Sequence, residues 1–70
     1  MFIKLYSHNG KDEPETPVWI HIDHISSIRP YSVHTPKLTK VTYNRHETIL
    51  VVSKPRTIIE KINEIRYNKL

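Results

Sequence analysis

Three side chains that could bind a metal ion lie close together in the stretch VWIHIDHI, residues 18–25. Zinc is bound by three or four ligands drawn from His, Cys and carboxylates, and His21, Asp23 and His24 are of the right types. In a strand His21 and Asp23 would share a face, whereas His24 belongs to the turn that follows. We therefore predict a strand that runs into a turn capped by Asp23, and no metal site.

The chain contains no motif for nucleophilic catalysis or for phosphate binding. It contains no cysteine and a single glycine, Gly10, so it offers neither a thiol nucleophile nor a Gly-rich loop. The carboxylates of Asp12, Glu13 and Glu15 are close in sequence, but they belong to a Pro-containing loop without apolar surroundings to shift a pKa. We predict that the protein is not an enzyme and binds no cofactor.

The composition predicts one small domain that is rich in strands. With 70 residues the chain is near the lower limit at which a hydrophobic core alone stabilises a fold, so residues 1–70 are predicted to be a single domain. Ten Ile, five Val and four Leu occur without any Ala, and β-branched side chains favour sheets. Because no cysteine, signal pattern or run of about 20 apolar residues occurs, we predict a cytoplasmic protein that does not insert into membranes.

Alternating apolar side chains predict the strands. In residues 18–22, Val18 and Ile20 point to one face, and Trp19 and His21 point to the other. Prolines indicate loops between strands, and a short polar segment late in the chain indicates a hairpin turn. The predicted strands are approximately residues 2–6, 18–22, 27–31, 39–43 and 47–52, with loops over 12–17 and 32–38 and the hairpin turn over 44–47.

A helix is predicted near the C-terminal end, over residues 54–66. Ser53 suits the N-cap, and Pro55 is tolerated in the first turn. The apolar stripe of this helix consists of Ile58, Ile59, Ile62 and Ile65. This spacing predicts that the stripe packs on a sheet. The fold class is therefore predicted to be α+β, with a mainly antiparallel sheet of four or five strands covered by one helix.

The formal charge of +4 is unevenly distributed. Residues 1–28 carry a net charge of −2, residues 29–56 carry +5, and residues 57–70 carry +1. A basic middle segment can contact a polyanion. The same charges are also typical of solvated surfaces that keep a small apolar domain in solution. The sequence leaves both interpretations open.

Three segments carry a family resemblance. The stretches FIKLYSHNGK, VWIHIDHISSI and ETILVVSKPRTIIEKI resemble the FlbD-like small proteins, which occur among flagellar and swarming-motility functions of bacteria. The resemblance implies a non-enzymatic accessory protein without catalytic residues. The chain departs from the family pattern where Asn44-Arg45-His46 replaces an Asn-Gly turn, and where the acidic segment lengthens the first loop.

The first functional hypothesis is a protein-interaction module, with a homodimer as one form of it. Trp19, His21 and Tyr6 are the candidate partner-binding residues, because the strand alternation places Trp19 outside the helix-covered core. A small core also gains stability from self-association. The alternative for Trp19 is that it packs under a loop of its own domain.

The second hypothesis is nucleic-acid binding by the region 29–56. The phosphate-contacting candidates are Lys37, Lys40, Arg45, Lys54 and Arg56, and the stacking candidates are Tyr43, Tyr31 and His46. Basic side chains interleaved with aromatic ones suit such a surface, although no known recognition motif is present. This hypothesis requires Lys40 and Arg56 to share one surface. A third hypothesis is a phage-type inhibitor of a host protein assembly, which could use either surface.

Overall fold

A computed structural model describes residues 1–67 and shows five strands followed by one helix. The strands are β1 (Phe2–Ser7), β2 (Thr16–His21), β3 (Ile25–Ser32), β4 (Thr35–Tyr43) and β5 (Glu47–Val52), and the helix is α1 (Pro55–Tyr67). A 3₁₀ turn, Ile22–His24, lies between β2 and β3. All strand pairs are antiparallel, which confirms the predicted α+β class and the higher of the two strand counts.

The sheet consists of a hairpin and a meander that meet along a short seam. Its strand order is β2-β1-β5-β4-β3, so β1 and β2 form the hairpin, and β3, β4 and β5 form the meander. The seam pairs Ser7 with Val51, and the His8 amide donates to the Leu50 carbonyl at 2.8 Å. The two parts therefore share few ladder hydrogen bonds.

The 3₁₀ turn forces the sheet to curl. It joins β2 and β3, which are the two edges of the sheet. In a flat five-stranded sheet the edges would lie about 19 Å apart, whereas three residues of 3₁₀ helix rise only about 6 Å. The edges consequently approach each other at this end. The Asn44 amide donates to the His24 carbonyl at 3.0 Å, which extends the pairing of β3 with β4 by one residue.

The core lies between the sheet and α1. Alternate strand residues, together with two residues of the helix, point into it: Ile3, Leu5, Ile20, Val41, Val51, Ile58 and Ile62. Ile65 is partly buried against this core, but Ile59 is 47% exposed. The prediction that Ile59 packs on the sheet is wrong, because one residue step turns a side chain by about 100° around the helix axis.

Two predicted loops are shorter than expected, because the neighbouring strands extend into them through proline residues. Each proline lies where no adjacent strand needs its missing amide hydrogen. The loop predicted over 32–38 is reduced to Val33–His34, since β4 begins at Thr35. Pairing of β4 with β5 ends at Leu38, so Pro36 removes no hydrogen bond on that side. Likewise β2 begins at Thr16 and contains Pro17, which an edge strand tolerates.

The turn after β2 is capped by a different residue from the one predicted. Asp23 was expected to accept the capping hydrogen bond. In the structure the Nδ1 atom of His21 accepts from the backbone amide of Asp23 at 3.2 Å. His21 is the last residue of β2 and its backbone is still extended. Its imidazole can therefore reach the amide two residues further along the chain.

The hairpin turn between β4 and β5 has left-handed backbone at two residues that are not glycine. Asn44 has φ 49° and Arg45 has φ 73°. Such values suit the twist of a tight hairpin, and Asn adopts them readily. For Arg45 the conformation costs about 1 kcal/mol, which the paired strands on both sides offset.

Candidate protein-interaction site

One side of the β1–β2 hairpin presents a group of aromatic side chains to solvent. Because Ile3, Leu5 and Ile20 point into the core, the alternate residues of both strands point outward. The hairpin register places Lys4 opposite Trp19, and Phe2 opposite His21. We call this surface the aromatic face, and it consists of Phe2, Lys4, Tyr6, Trp19 and His21.

The aromatic face is exposed to a degree that is unusual for large apolar side chains. Phe2 is 61% exposed, Trp19 is 59% exposed and Tyr6 is 43% exposed. Helix α1 covers the other side of the sheet, so no element among residues 1–67 packs over these three rings. The alternative that Trp19 is buried under a loop of its own domain is wrong, because its exposed fraction exceeds one half.

Lys4 organises the centre of the aromatic face. Its Nζ atom lies 5.3 Å from the ring centroid of Trp19 and 5.4 Å from that of Tyr6. A cation over an aromatic ring at an exposed site stabilises the arrangement by about 0.5–1 kcal/mol. The ammonium group thus holds both rings and covers one side of each.

His21 has a structural task at the border of the aromatic face. Besides capping the 3₁₀ turn, its ring packs edge-on against Phe2 with the centroids 5.1 Å apart. It also stacks on His24 at 4.6 Å. The Asp23 carboxylate lies 3.8 Å from the Arg66 guanidinium, which links the turn to the helix. Among residues 1–67, no three His, Asp or Glu side chains are arranged so that they could hold a metal ion.

The loop between β1 and β2 is held in shape by Asn9. Its Nδ2 atom donates to the Pro14 carbonyl at 2.9 Å and to the Thr16 hydroxyl at 2.8 Å. Its Oδ1 atom accepts from the buried Ser7 hydroxyl at 2.9 Å. These three hydrogen bonds order the segment that carries the acidic residues.

The basic candidates for nucleic-acid binding are spread over the molecule. Lys40 lies opposite Leu50, on the side of the sheet that α1 does not cover, because its neighbours Thr39 and Val41 are fully buried on the other side. Arg56 belongs to α1, where it lies 3.9 Å from Glu60. The structure therefore does not bring Lys40 and Arg56 to one surface.

The remaining basic candidates lie at other places along the chain. Lys54 immediately precedes α1, Lys37 is near the start of β4, and Arg45 is in the hairpin turn. Lys37 is six residue steps from Tyr43, the last residue of β4 before the turn that carries Arg45, a distance of about 20 Å. Of the stacking candidates, Tyr31 is 52% exposed on β3, and His46 is exposed in the hairpin turn.

Tyr43 presents only part of its ring for stacking, because the half-buried ring packs against the core. Burial raises the pKa of the Tyr43 phenol above its usual range, and the carboxylate of Glu47 raises it further. Glu47 faces Tyr43 across the hairpin, where its negative charge opposes the phenolate.

We expect the raised pKa of Tyr43 to make the fold less stable in alkali. The unfolded chain releases the phenolic proton near pH 10, whereas the folded chain retains it, so the free energy of unfolding should fall as the pH rises above about 10. Urea titrations at several alkaline pH values would measure this loss, and Tyr43→Phe should make it smaller. An unchanged pH dependence in Tyr43→Phe would contradict the assignment.

Sequence reasoning selected three residues of the aromatic face and missed two. Tyr6, Trp19 and His21 were candidates, and the structure places them on one side of the hairpin. Phe2 and Lys4 were not selected. The signal that could have found them was present, because the alternation over residues 2–6 already puts both on the same face as Tyr6.

Comparison of the chain with models of known protein families finds no match. Searches of curated proteins and of solved structures likewise give no significant match. The resemblance to the FlbD-like proteins therefore stays a prediction. Within residues 1–67 the helix is too short and too polar to cross a membrane.

Proposed function

We propose that the protein is a non-enzymatic binding protein whose aromatic face contacts another protein. The observation that carries this proposal is the exposure of Phe2, Tyr6 and Trp19 on two paired strands. Tyr and Trp are enriched among residues that dominate binding energy, because each buries a large rigid area with few rotatable bonds. Their fixed positions also lower the entropy lost on binding.

The arrangement of Lys4 favours a protein partner over a nucleic acid. A base stacks on the open face of a ring, but the Lys4 ammonium group covers one side of both Tyr6 and Trp19. The loop on the same hairpin also carries Asp12, Glu13 and Glu15, whose charges repel phosphates. Nucleic-acid binding remains the second candidate, supported by the cross-strand pair of Arg29 and Lys40 on the side of the sheet that α1 leaves uncovered.

A capture experiment with matched variants tests the proposal. Tagged protein would be recovered from the native cell with and without nuclease, and the bound proteins identified by mass spectrometry. We expect Trp19→Ala to lose the partner. Tyr31→Ala should keep it, because Tyr31 is similarly exposed at 52% but lies on β3, outside the aromatic face. Circular dichroism of both variants would establish that they fold.

Two results would contradict the proposal. If Trp19→Ala and Tyr31→Ala recover the same proteins as the unmodified chain, the aromatic face is not the binding surface. If recovery is lost on nuclease treatment, the basic residues become the site, and binding to single-stranded DNA should then weaken steeply with salt. The identity of a captured partner would separate an accessory role of the FlbD-like kind from inhibition of a host machine.

A further inference from the structure

The strand residues on the side of the sheet that α1 leaves uncovered include cations but no carboxylates. Lys4 points outward from β1, and Arg29 and Lys40 are paired across β3 and β4. The only acidic residue within the five strands is Glu47. It faces Tyr43, whose ring packs against the core. A surface of this kind, with aromatic rings around Lys4, is complementary to an acidic segment that also carries apolar groups.

The chain itself contains such a segment. We call residues Asp12–Glu15 the acidic loop, and its sequence DEPE combines three carboxylates with Pro14. All four residues are exposed. Among residues 1–67, none of these carboxylates lies within 4.0 Å of a basic nitrogen. The loop thus has negative charge that residues 1–67 do not pair.

The acidic loop is ordered before any partner arrives. Asn9 donates to the Pro14 carbonyl and to the Thr16 hydroxyl, and the Glu13 amide donates to the Gly10 carbonyl at 3.3 Å. Pro14 adds a fixed φ. Docking therefore loses little chain entropy. The same contacts hold the loop at the Ser7–Thr16 end of the hairpin, so it does not fold back over Lys4 of its own molecule.

We propose that the aromatic face binds a second copy of this chain, with the acidic loop of each copy lying on the aromatic face of the other. Carboxylates of Glu13 and Glu15 meet the Lys4 ammonium group, and Pro14 packs on the exposed parts of Trp19 and Tyr6. The contact is reciprocal, as in a two-fold symmetric dimer. This inference rests on the proposed function, because it names the partner of the same surface.

A dimer with an interface of standard size would cover only a small share of the exposed surface. A stable interface of standard size covers about 800 Å² of each partner, which is roughly one seventh of the 5348 Å² that this chain exposes. The β1–β2 hairpin, one of the two parts of the sheet, presents both the acidic loop and the aromatic face. Because the central contacts are ionic and near the surface, the dimer should weaken as salt is added.

Sedimentation of the full chain tests the dimer directly. We expect dimers within about 10 μM to about 1 mM protein at low salt, and fewer of them at high salt. Lys4→Glu should raise the dissociation constant at least about tenfold, since it places a carboxylate against the acidic loop. Lys40→Glu makes the same charge change outside the aromatic face, and it should change the constant much less.

A mixture of two variants gives the sharpest test. Lys4→Glu has a negative face and a negative loop, and the double variant Glu13→Lys with Glu15→Lys has a positive face and a positive loop. Each alone should be monomeric. Their equimolar mixture should form a heterodimer, because both loop-to-face contacts are then between opposite charges. Circular dichroism would establish that both variants fold.

The inference is overturned if the unmodified chain stays monomeric over this concentration range, or if the folded variants do not associate on mixing. Dimers that Lys4→Glu leaves intact would also overturn it, since another surface would then hold them. These failures differ from failure of the proposed function. If the chain is monomeric but still captures a cellular protein in a Trp19-dependent way, only the dimer is contradicted. If the chain is monomeric and captures no protein in a Trp19-dependent way, both proposals are contradicted.

Discussion

Replacing Ile58 with Ala is expected to lower the free energy of unfolding by about 3–4 kcal/mol. Ile58 is fully buried where α1 packs on the sheet, and the shortened side chain leaves a cavity that the curled sheet cannot close. A domain of this size has a stability of about 4–10 kcal/mol. The variant should therefore be largely unfolded in modest urea, as measured by circular dichroism.

The neighbouring residue provides the control for this prediction. Ile59 has the same side chain on the same helix but is 47% exposed, so Ile59→Ala should cost less than about 1 kcal/mol. Equal losses in the two variants would show that α1 does not pack on the sheet through Ile58. They would also remove the basis for assigning the aromatic face to the uncovered side.

Replacing Asn9 with Ala is expected to cost about 2 kcal/mol and to weaken self-association. The variant loses the hydrogen bonds to the Pro14 carbonyl and the Thr16 hydroxyl, and it leaves the buried Ser7 hydroxyl without its acceptor. Each net hydrogen bond contributes about 1 kcal/mol, and an unsatisfied buried group costs more. Urea unfolding would measure the first effect, and sedimentation the second.

Ser7→Ala separates the parts of this prediction. It removes the hydroxyl that donates to Asn9 but keeps both donors that order the acidic loop. We expect a loss of about 1 kcal/mol or less, and no change in self-association. If Asn9→Ala behaves like Ser7→Ala in both measurements, then Asn9 does not hold the acidic loop.

Side-chain periodicity was sufficient to predict the class of the fold. The alternation around Val18 and Ile20 identified a strand and placed Trp19 on its outer side, because successive residues of a strand always point to opposite faces. The helix observed at Pro55–Tyr67 was predicted over 54–66. These features depend on near neighbours in sequence, which a single chain displays directly.

Predictions that depended on distant parts of the chain were less accurate. The extension of β4 back to Thr35 could not be predicted from Pro36, because the cost of a proline depends on which neighbouring strand is present. The exposure of Ile59 depends on how α1 rotates against the sheet. The separation of Lys40 from Arg56 depends on which side of the sheet the helix covers.

The sequence by itself determined the strands, the helix, the outward direction of Trp19 and the uneven charge, since each follows from residue type and local spacing. Only the tertiary structure decided that Phe2, Lys4, Tyr6 and Trp19 form one surface, because that required the register between β1 and β2. It also decided that the acidic loop is ordered by Asn9. Strand register and side-chain hydrogen bonds depend on residues that are far apart in the chain. Their contribution to stability therefore depends on the complete sheet.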